Sequence, residues 1–167
     1  DLIIKADTDK KVSYGFYNTG IEYEATKKHL DYLRNKYDID IKEYRAKCPV
    51  PLACKKHGQP FLSKFVSEMI QRLQRHNFKW EDRPFEELLV EYPKCKAALQ
   101  WWCNLNGERS RFNVSYNKLL KEFMVANPPT FSISNKCCTY AKKNGAKDAE
   151  KQEQCDLVMM GVRKSEG

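Results

Sequence analysis

The sequence has no run of about 18 apolar residues, and with a mean hydropathy of −0.73 and 31% charged residues it offers nothing to span a bilayer. A basic, apolar, small-residue leader is absent from its start, so it shows no secretory address. It contains no internal repeat and no low-complexity tract, which excludes solenoid and linker-like readings. What is present is ample material for a core: 41% hydrophobic and 12% aromatic residues in 167, the size of one domain or most of one.

Acidic residues are the minority charge, 22 against 30 Lys and Arg, giving a net +8. An anionic partner such as a nucleotide, a nucleic acid or a phosphate-rich ligand fits that balance, although a solvated lysine face produces the same count. The seven cysteines are odd in number and cannot all pair within the chain. Without a leader they read as thiols of a reducing, cytoplasmic compartment, where clustered cysteine more often means metal or redox chemistry than staples.

Val12 to Asn18 is a short β-rich run that ends at Thr19-Gly20. Behind it Tyr23, Thr26, Leu30, Leu33 and Tyr37 recur at spacings of three and four, one face of a helix. Ile39 to Tyr44 then alternates apolar and polar residues as a strand does. Strand–helix–strand units of this length place their strands parallel, with a right-handed crossover. The middle of the chain is helical: Pro51 to His57, closed by Gly58; Phe61 to His76; Pro84 to Tyr92; Pro93 to Cys103; and a further helix marked by Tyr116, Leu119, Leu120, Phe123 and Met124. The expected architecture is an α/β, Rossmann-like parallel sheet with flanking helices, one domain over residues 1–167, carrying a helical insertion at about 79–129. Asn135 is expected to cap a helix over Lys136 to Asn144, a polar helix to cover Lys147 to Gln154, and Asp156 to Val162 to form a buried parallel strand.

Three places carry candidate chemistry. Asn18-Thr19-Gly20 puts a hydroxyl and backbone N–H groups at a strand's carboxyl end, where ligands bind in open α/β sheets; equally, Thr19 is an ordinary N-cap at a strand-to-helix turn. Lys136-Cys137-Cys138 puts two thiols at a helix start beside a cation, a setting that favours thiolate; the plainer alternative is two small hydrophobes. Gly161-Val162-Arg163-Lys164-Ser165 sets two cations and a hydroxyl at the end of the last expected strand, where Arg holds an anion bidentately. Cys48, Cys54, Cys95 and Cys103 match no zinc or thioredoxin spacing and read as structural, and the three histidines read as surface residues.

In order and content these pieces resemble the phosphoadenosine phosphosulfate (PAPS) reductase family of the PP-loop, adenine nucleotide alpha hydrolase-like superfamily, whose members occur in bacteria and bacteriophages. The likeness rests on FYNTG with the helix IEYEATKKHLDYL, then NKCC with a lysine-rich helix, then MMGVRKSEG. It implies an adenine nucleotide (PAPS, its unphosphorylated analogue APS, or ATP) beside Asn18, Thr19 and Gly20, with Gly161, Arg163 and Lys136 facing its anionic groups. It further implies that Cys137 and Cys138 supply two ligands of a 4Fe–4S cluster, that Lys142 adds charge nearby, and that a thioredoxin-type protein is the reductant. The reaction so implied reduces the nucleotide's sulfate to sulfite. Two other readings stand beside it: an ATP-using relative that adenylates a substrate for sulfur transfer to nucleic acid, and a non-catalytic nucleic-acid-binding relative.

The family's Ser-Gly-Gly-x-Asp-Ser phosphate loop is nowhere among these residues and is expected upstream of Asp1. The further cysteines of the reductases are expected beyond Gly167, so the chain reads as an internal piece of a longer polypeptide. No residue present can be assigned as the catalytic nucleophile.

Overall fold

The computed structural model describes residues 2–159. The chain divides into two compact units: Asp1–Pro51 with Thr139–Gly167, of which residues 2–51 and 139–159 are described, and Leu52–Cys138.

The first unit is mixed α/β. After the short helix α1 (Leu2–Ala6) come β1 (Tyr14–Asn18), α2 (Glu24–Tyr37) and β2 (Ile41–Arg45). The two strands pair parallel in register from Tyr14↔Ile41 to Asn18↔Arg45, as the strand–helix–strand pattern requires. The expected stripe of α2 is where the periodicity puts it: Thr26, Leu30, Leu33 and Tyr37 are half-buried, while Tyr23 stands exposed before the first turn. Asp38 ends the helix in the left-handed region (φ 49°), its N–H donating to the Arg34 carbonyl.

The segment Thr139–Lys143 is π-helical and runs into α8 (Asn144–Glu153). The latter helix is tied to β2 by Lys42–Glu153 (2.6 Å), and to the chain just beyond it by Lys47–Asp148 (2.7 Å). Burial pushes the Tyr44 hydroxyl up to about 12, and its hydrogen bond to the Glu153 carboxylate adds to the shift.

Beyond α8 the structure departs from expectation. Asp156–Met159 form no strand, and Leu157 and Met159 are 76% and 60% exposed. A parallel strand exists only by pairing, and the sheet among the described residues holds β1 and β2 alone. An apolar run by itself does not supply a neighbour. The rest of that expected strand, from Met160, lies outside the described residues, as do Gly161 and Arg163.

The second unit is helical and has a true core. Most of α3 (Val50–His57) belongs to it, followed by α4 (Lys64–Gln74), α5 (Phe85–Glu91), a 3₁₀ turn at Pro93–Cys95, α6 (Lys96–Trp102), another at Val114–Tyr116, and α7 (Leu120–Ala126). The expected insertion at 79–129 falls inside this unit. Ser63 caps α4, its hydroxyl accepting from Val66 N–H at 3.2 Å. Val66, Met69, Ile70 and Leu73 form its buried stripe.

Phe78, Trp80, Tyr92 and Trp102 interlock edge-to-face at centroid separations from 5.2 to 5.7 Å, the geometry ring quadrupoles prefer. The Trp102 indole N–H is satisfied by the Glu81 carbonyl at 2.9 Å. Of the stripe expected around Tyr116–Met124, only Leu120 and Met124 are buried. Leu119 takes φ 64°, so the helix starts after it, and Tyr116, Leu119 and Phe123 face solvent.

The unit closes where the chain returns from α7. Gln59 and Ile133 form an isolated parallel bridge, with Gln59 N–H donating to the Ser132 carbonyl (2.9 Å) and Ser134 N–H to the Gln59 carbonyl (2.8 Å). No helix among the described residues is long and apolar enough to cross a membrane.

Candidate functional site

The turn after β1 is built by four side chains and two backbone ties. Thr19 is buried, and both its N–H (3.0 Å) and its hydroxyl (2.5 Å) donate to one carboxylate oxygen of Glu22. The Thr19 hydroxyl is the main reason the Glu22 carboxyl is held below its usual range; burial opposes the shift, while the Thr19 N–H and the positive charge of Lys142 add to it. Asn18 Oδ1 accepts from Gly20 N–H (2.9 Å), and its amide donates to Glu43 (2.8 Å). Ala46 N–H donates to the Asn18 carbonyl (2.9 Å) and Val50 N–H to that of Thr19 (2.8 Å), so the chain leaving β2 is sewn to the end of β1. Gly20 has φ +88°, and a Cβ there would lie 2.7 Å from Pro49 Cβ. Only glycine meets both conditions.

Asn18, Thr19 and Gly20 are therefore together at the carboxyl ends of two adjacent parallel strands. Their N–H groups do not point at empty space, however: Thr19 and Gly20 give theirs to Glu22 and Asn18. An incoming anion at this turn has to displace an internal carboxylate. Glu22 was not among the residues expected from sequence, although Thr19-Gly20-Ile21-Glu22 is the Thr-x-x-Glu spacing in which a glutamate reaches back to a capping threonine.

Beside this turn lies a groove of about 810 Å³ between the carboxyl half of β2 and the helical stretch from Tyr140 to Glu153. Lys42, Arg45, Lys47, Lys147 and Lys151 line it, against Glu43, Asp148 and Glu153. Cations outnumber acids by two. Arg45 pairs with Glu43 at 3.1 Å, and Cys48 and Tyr140 complete the wall.

Lys136, Cys137 and Cys138 belong to the other unit. All three are half-buried, and the two cysteines occupy the first helical turn that leads into the π-helical segment. Asn135 does not cap that turn. Its amide donates to the Lys64 carbonyl and to Glu68 (3.4 Å each), and the Ser134 hydroxyl takes the capping role by accepting from Lys136 N–H at 3.0 Å.

Cys54, in α3, reads from sequence as a structural residue. Burial pushes the Cys54 thiol up, and its hydrogen-bonding contact with Cys137 pushes it the same way. Cys95 is buried in the core with its thiol toward the Arg72 carbonyl (3.7 Å), and Cys103 lies beside that core. Among the described residues no group of three or more His, Cys, Asp or Glu side chains is arranged to hold a metal ion. A four-thiolate cage is thus not assembled from them. No family model, curated protein or solved structure matches this chain.

Proposed function

We propose that the Asp1–Pro51 and Thr139–Gly167 unit binds an adenine nucleotide on a Rossmann-like frame, as part of a sulfonucleotide reductase-like enzyme. The observation that carries this reading is the junction of two parallel strand ends at Asn18-Thr19-Gly20 and Ala46–Val50, beside a groove with excess positive charge. Crevices at the carboxyl ends of parallel strands are where open α/β sheets hold their ligands, and the groove's cations suit phosphate or sulfate. Glu22 shields the turn while no anion is bound, and Lys142 offsets its charge.

In the proposed reaction a cysteine thiolate attacks the sulfur of the adenylated sulfate. The S–O bond to the nucleotide phosphate breaks, and the nucleotide leaves as its 5′-phosphate. A dithiol reductant of the thioredoxin type then attacks the cysteine sulfur of the resulting S-sulfonate. Sulfite is released and the two electrons end in a disulfide. Cationic side chains stabilise the charge that develops on the leaving phosphate.

The test is sulfite release from PAPS or APS by the full-length protein with a dithiol protein reductant, alongside calorimetric titration of the same nucleotides. Binding with sulfite release upholds the reading. Binding of ATP alone, with AMP and pyrophosphate produced in the presence of nucleic acid, replaces it with the adenylating alternative.

A further inference from the structure

The positive charge of the chain is unevenly spread. Residues 52–138 carry fourteen Lys and Arg against eight Asp and Glu, so six of the net eight positive charges fall in the Leu52–Cys138 unit. Its ion pairs join Arg72, Lys79, Arg83 and Lys121 to Glu68, Glu81, Asp82, Glu87 and Glu91. The surplus cations lie outside this network.

Three of them surround an exposed ring. The loop between α6 and the 3₁₀ turn at Val114–Tyr116 is closed by two asparagines. Buried Asn113 donates its amide to the Gly107 carbonyl (2.8 Å) and accepts from Asn106 N–H (3.0 Å). The Asn106 amide in turn donates to the Phe112 carbonyl (2.8 Å), and Phe112 N–H donates to the Ser110 hydroxyl (3.1 Å). The loop so fixed leaves Arg109 and Arg111 exposed and holds Phe112 at the surface, 43% exposed. The Arg111 guanidinium stands over the Phe112 ring at 4.9 Å, and that ring meets Phe65 of α4 edge-on at 5.1 Å. Lys64, the neighbour of Phe65 at the start of α4, is exposed, as is Leu62 two residues before it. Arg109, Arg111 and Lys64 form no ion pair with any described residue. The acids nearby are Glu108, next to Arg109 in the chain, and Glu68, which is already engaged by Arg72 and Asn135.

A solvated lysine face would explain the charge but not a ring held beneath a guanidinium by a hydrogen-bonded loop. An aromatic ring and a guanidinium flanked by cations form a surface on which an unpaired base stacks while its phosphates meet the charges. A duplex hides its base faces and meets only the second half of that fit. An interfacial membrane site uses an amphipathic helix with an apolar stripe toward lipid, whereas this face is a polar loop and one helix start.

We propose that the Phe112 face of the helical unit binds single-stranded nucleic acid. An unpaired base stacks on Phe112 and Arg111, and Arg109, Arg111 and Lys64 hold the phosphodiester backbone. The inference does not rest on nucleotide binding by the other unit.

Fluorescence anisotropy of a short labelled oligonucleotide, titrated with the full chain over a series of salt concentrations, tests it. DNA and RNA of one sequence are used, the tighter binder identifying the strand. Single strands should bind roughly tenfold or more tightly than the duplex of the same sequence, the equivalent of one or two stacked bases. Phe112→Leu, which keeps bulk but not the ring, should weaken single-strand binding roughly 5- to 100-fold, and Phe112→Trp should retain it. Arg111→Ala and Lys64→Ala should each lower the slope of log affinity against log salt by about 0.7. Lys94→Ala removes the same charge beyond the far end of α4, beside His76, Lys79 and Glu91, and should leave that slope unchanged. Near-ultraviolet circular dichroism checks that each variant is folded. Equal affinity for duplex and single strand, undiminished binding by Phe112→Leu, or a Lys94→Ala loss matching that of Arg111→Ala would overturn the assignment. Sedimentation with phosphatidylserine vesicles, without oligonucleotide binding, would overturn it too. Titration of the same protein with PAPS reports on the other unit separately, so either reading can fail without the other.

Discussion

In the Leu52–Cys138 unit Trp101, Trp102, Leu88 and Leu99 have no exposed surface, whereas in the other unit burial is confined to Thr19, Ile41, Ala141 and Ala149 among the described residues. The first is held by interlocked rings and aliphatic side chains. The second is held by a parallel ladder, ion pairs along α8 and a hydrogen-bonded turn. Hydrophobic burial scales with the apolar area removed from water, while exposed ion pairs contribute about 0–1 kcal/mol each. Stability is therefore concentrated in the helical unit. The polar strand ends, where a ligand can compete for hydrogen bonds, sit in the unit that has least to lose by rearranging.

Core truncation should divide the two units most sharply. Trp102→Ala is expected to cost about 3–5 kcal/mol, as large-to-small changes at buried aromatics do, and to lower the denaturant midpoint of the helical unit. Leu30→Ala, on the half-buried stripe of α2, should cost under about 1 kcal/mol because much of that side chain is already in water. Equal losses would erase the contrast.

Next in size is a pair of glycines that play the same local part in each unit. Gly58→Ala puts a Cβ against the Ser132 carbonyl and Gly20→Ala puts one against Pro49, both at positive φ. Each should cost roughly 1–3 kcal/mol from left-handed strain and the close contact. The readouts differ: Gly58→Ala should lower the melting temperature of the helical unit and speed amide exchange at Ser134. Gly20→Ala should mainly speed exchange at Val50 and weaken nucleotide binding.

The smallest effect concerns acid. Lys79 is the first cause, with Arg83 and Tyr92 behind it, that holds the Glu91 carboxyl at about 2. A carboxylate depressed in the folded state stabilises it fully above its unfolded value of about 4.3. That contribution is lost as pH falls through the folded value. The helical unit should thus lose stability between about pH 4.5 and 2, and Glu91→Gln should flatten that slope in denaturation midpoints measured across the range. Glu22 is shifted in the same direction in the other unit. Glu22→Gln should flatten acid-dependent amide exchange at Thr19 without touching the helical unit.

The legibility of the fold follows from which signals are local. The strand–helix–strand unit could be read because β-rich residues end at Thr19-Gly20 and the α2 stripe recurs at three and four. The stripe around α4 was readable for the same reason. The run Asp156–Met159 was misread because periodicity records only that residues are apolar. Whether a strand forms depends on partners elsewhere in the chain. Tyr116, Leu119 and Phe123 looked like core by spacing, but the backbone reversal at Leu119 turned them outward.

At the candidate site Asn18, Thr19 and Gly20 were visible as a strand-end turn; Glu22 was not expected, although the Thr-x-x-Glu spacing carries a signal for it. The bridge between Gln59 and Ile133 was not visible, because it joins distant segments and no local pattern marks it.

In the proposed function the polar strand ends, and not the helical unit, receive the nucleotide. Hydrogen–deuterium exchange on the full-length protein with and without saturating PAPS tests it directly. Protection on binding should appear at Asn18–Glu22 and Arg45–Val50 and leave the amides of α4 and α6 unchanged. Protection confined to Leu52–Cys138, or no protection and no binding, would contradict it.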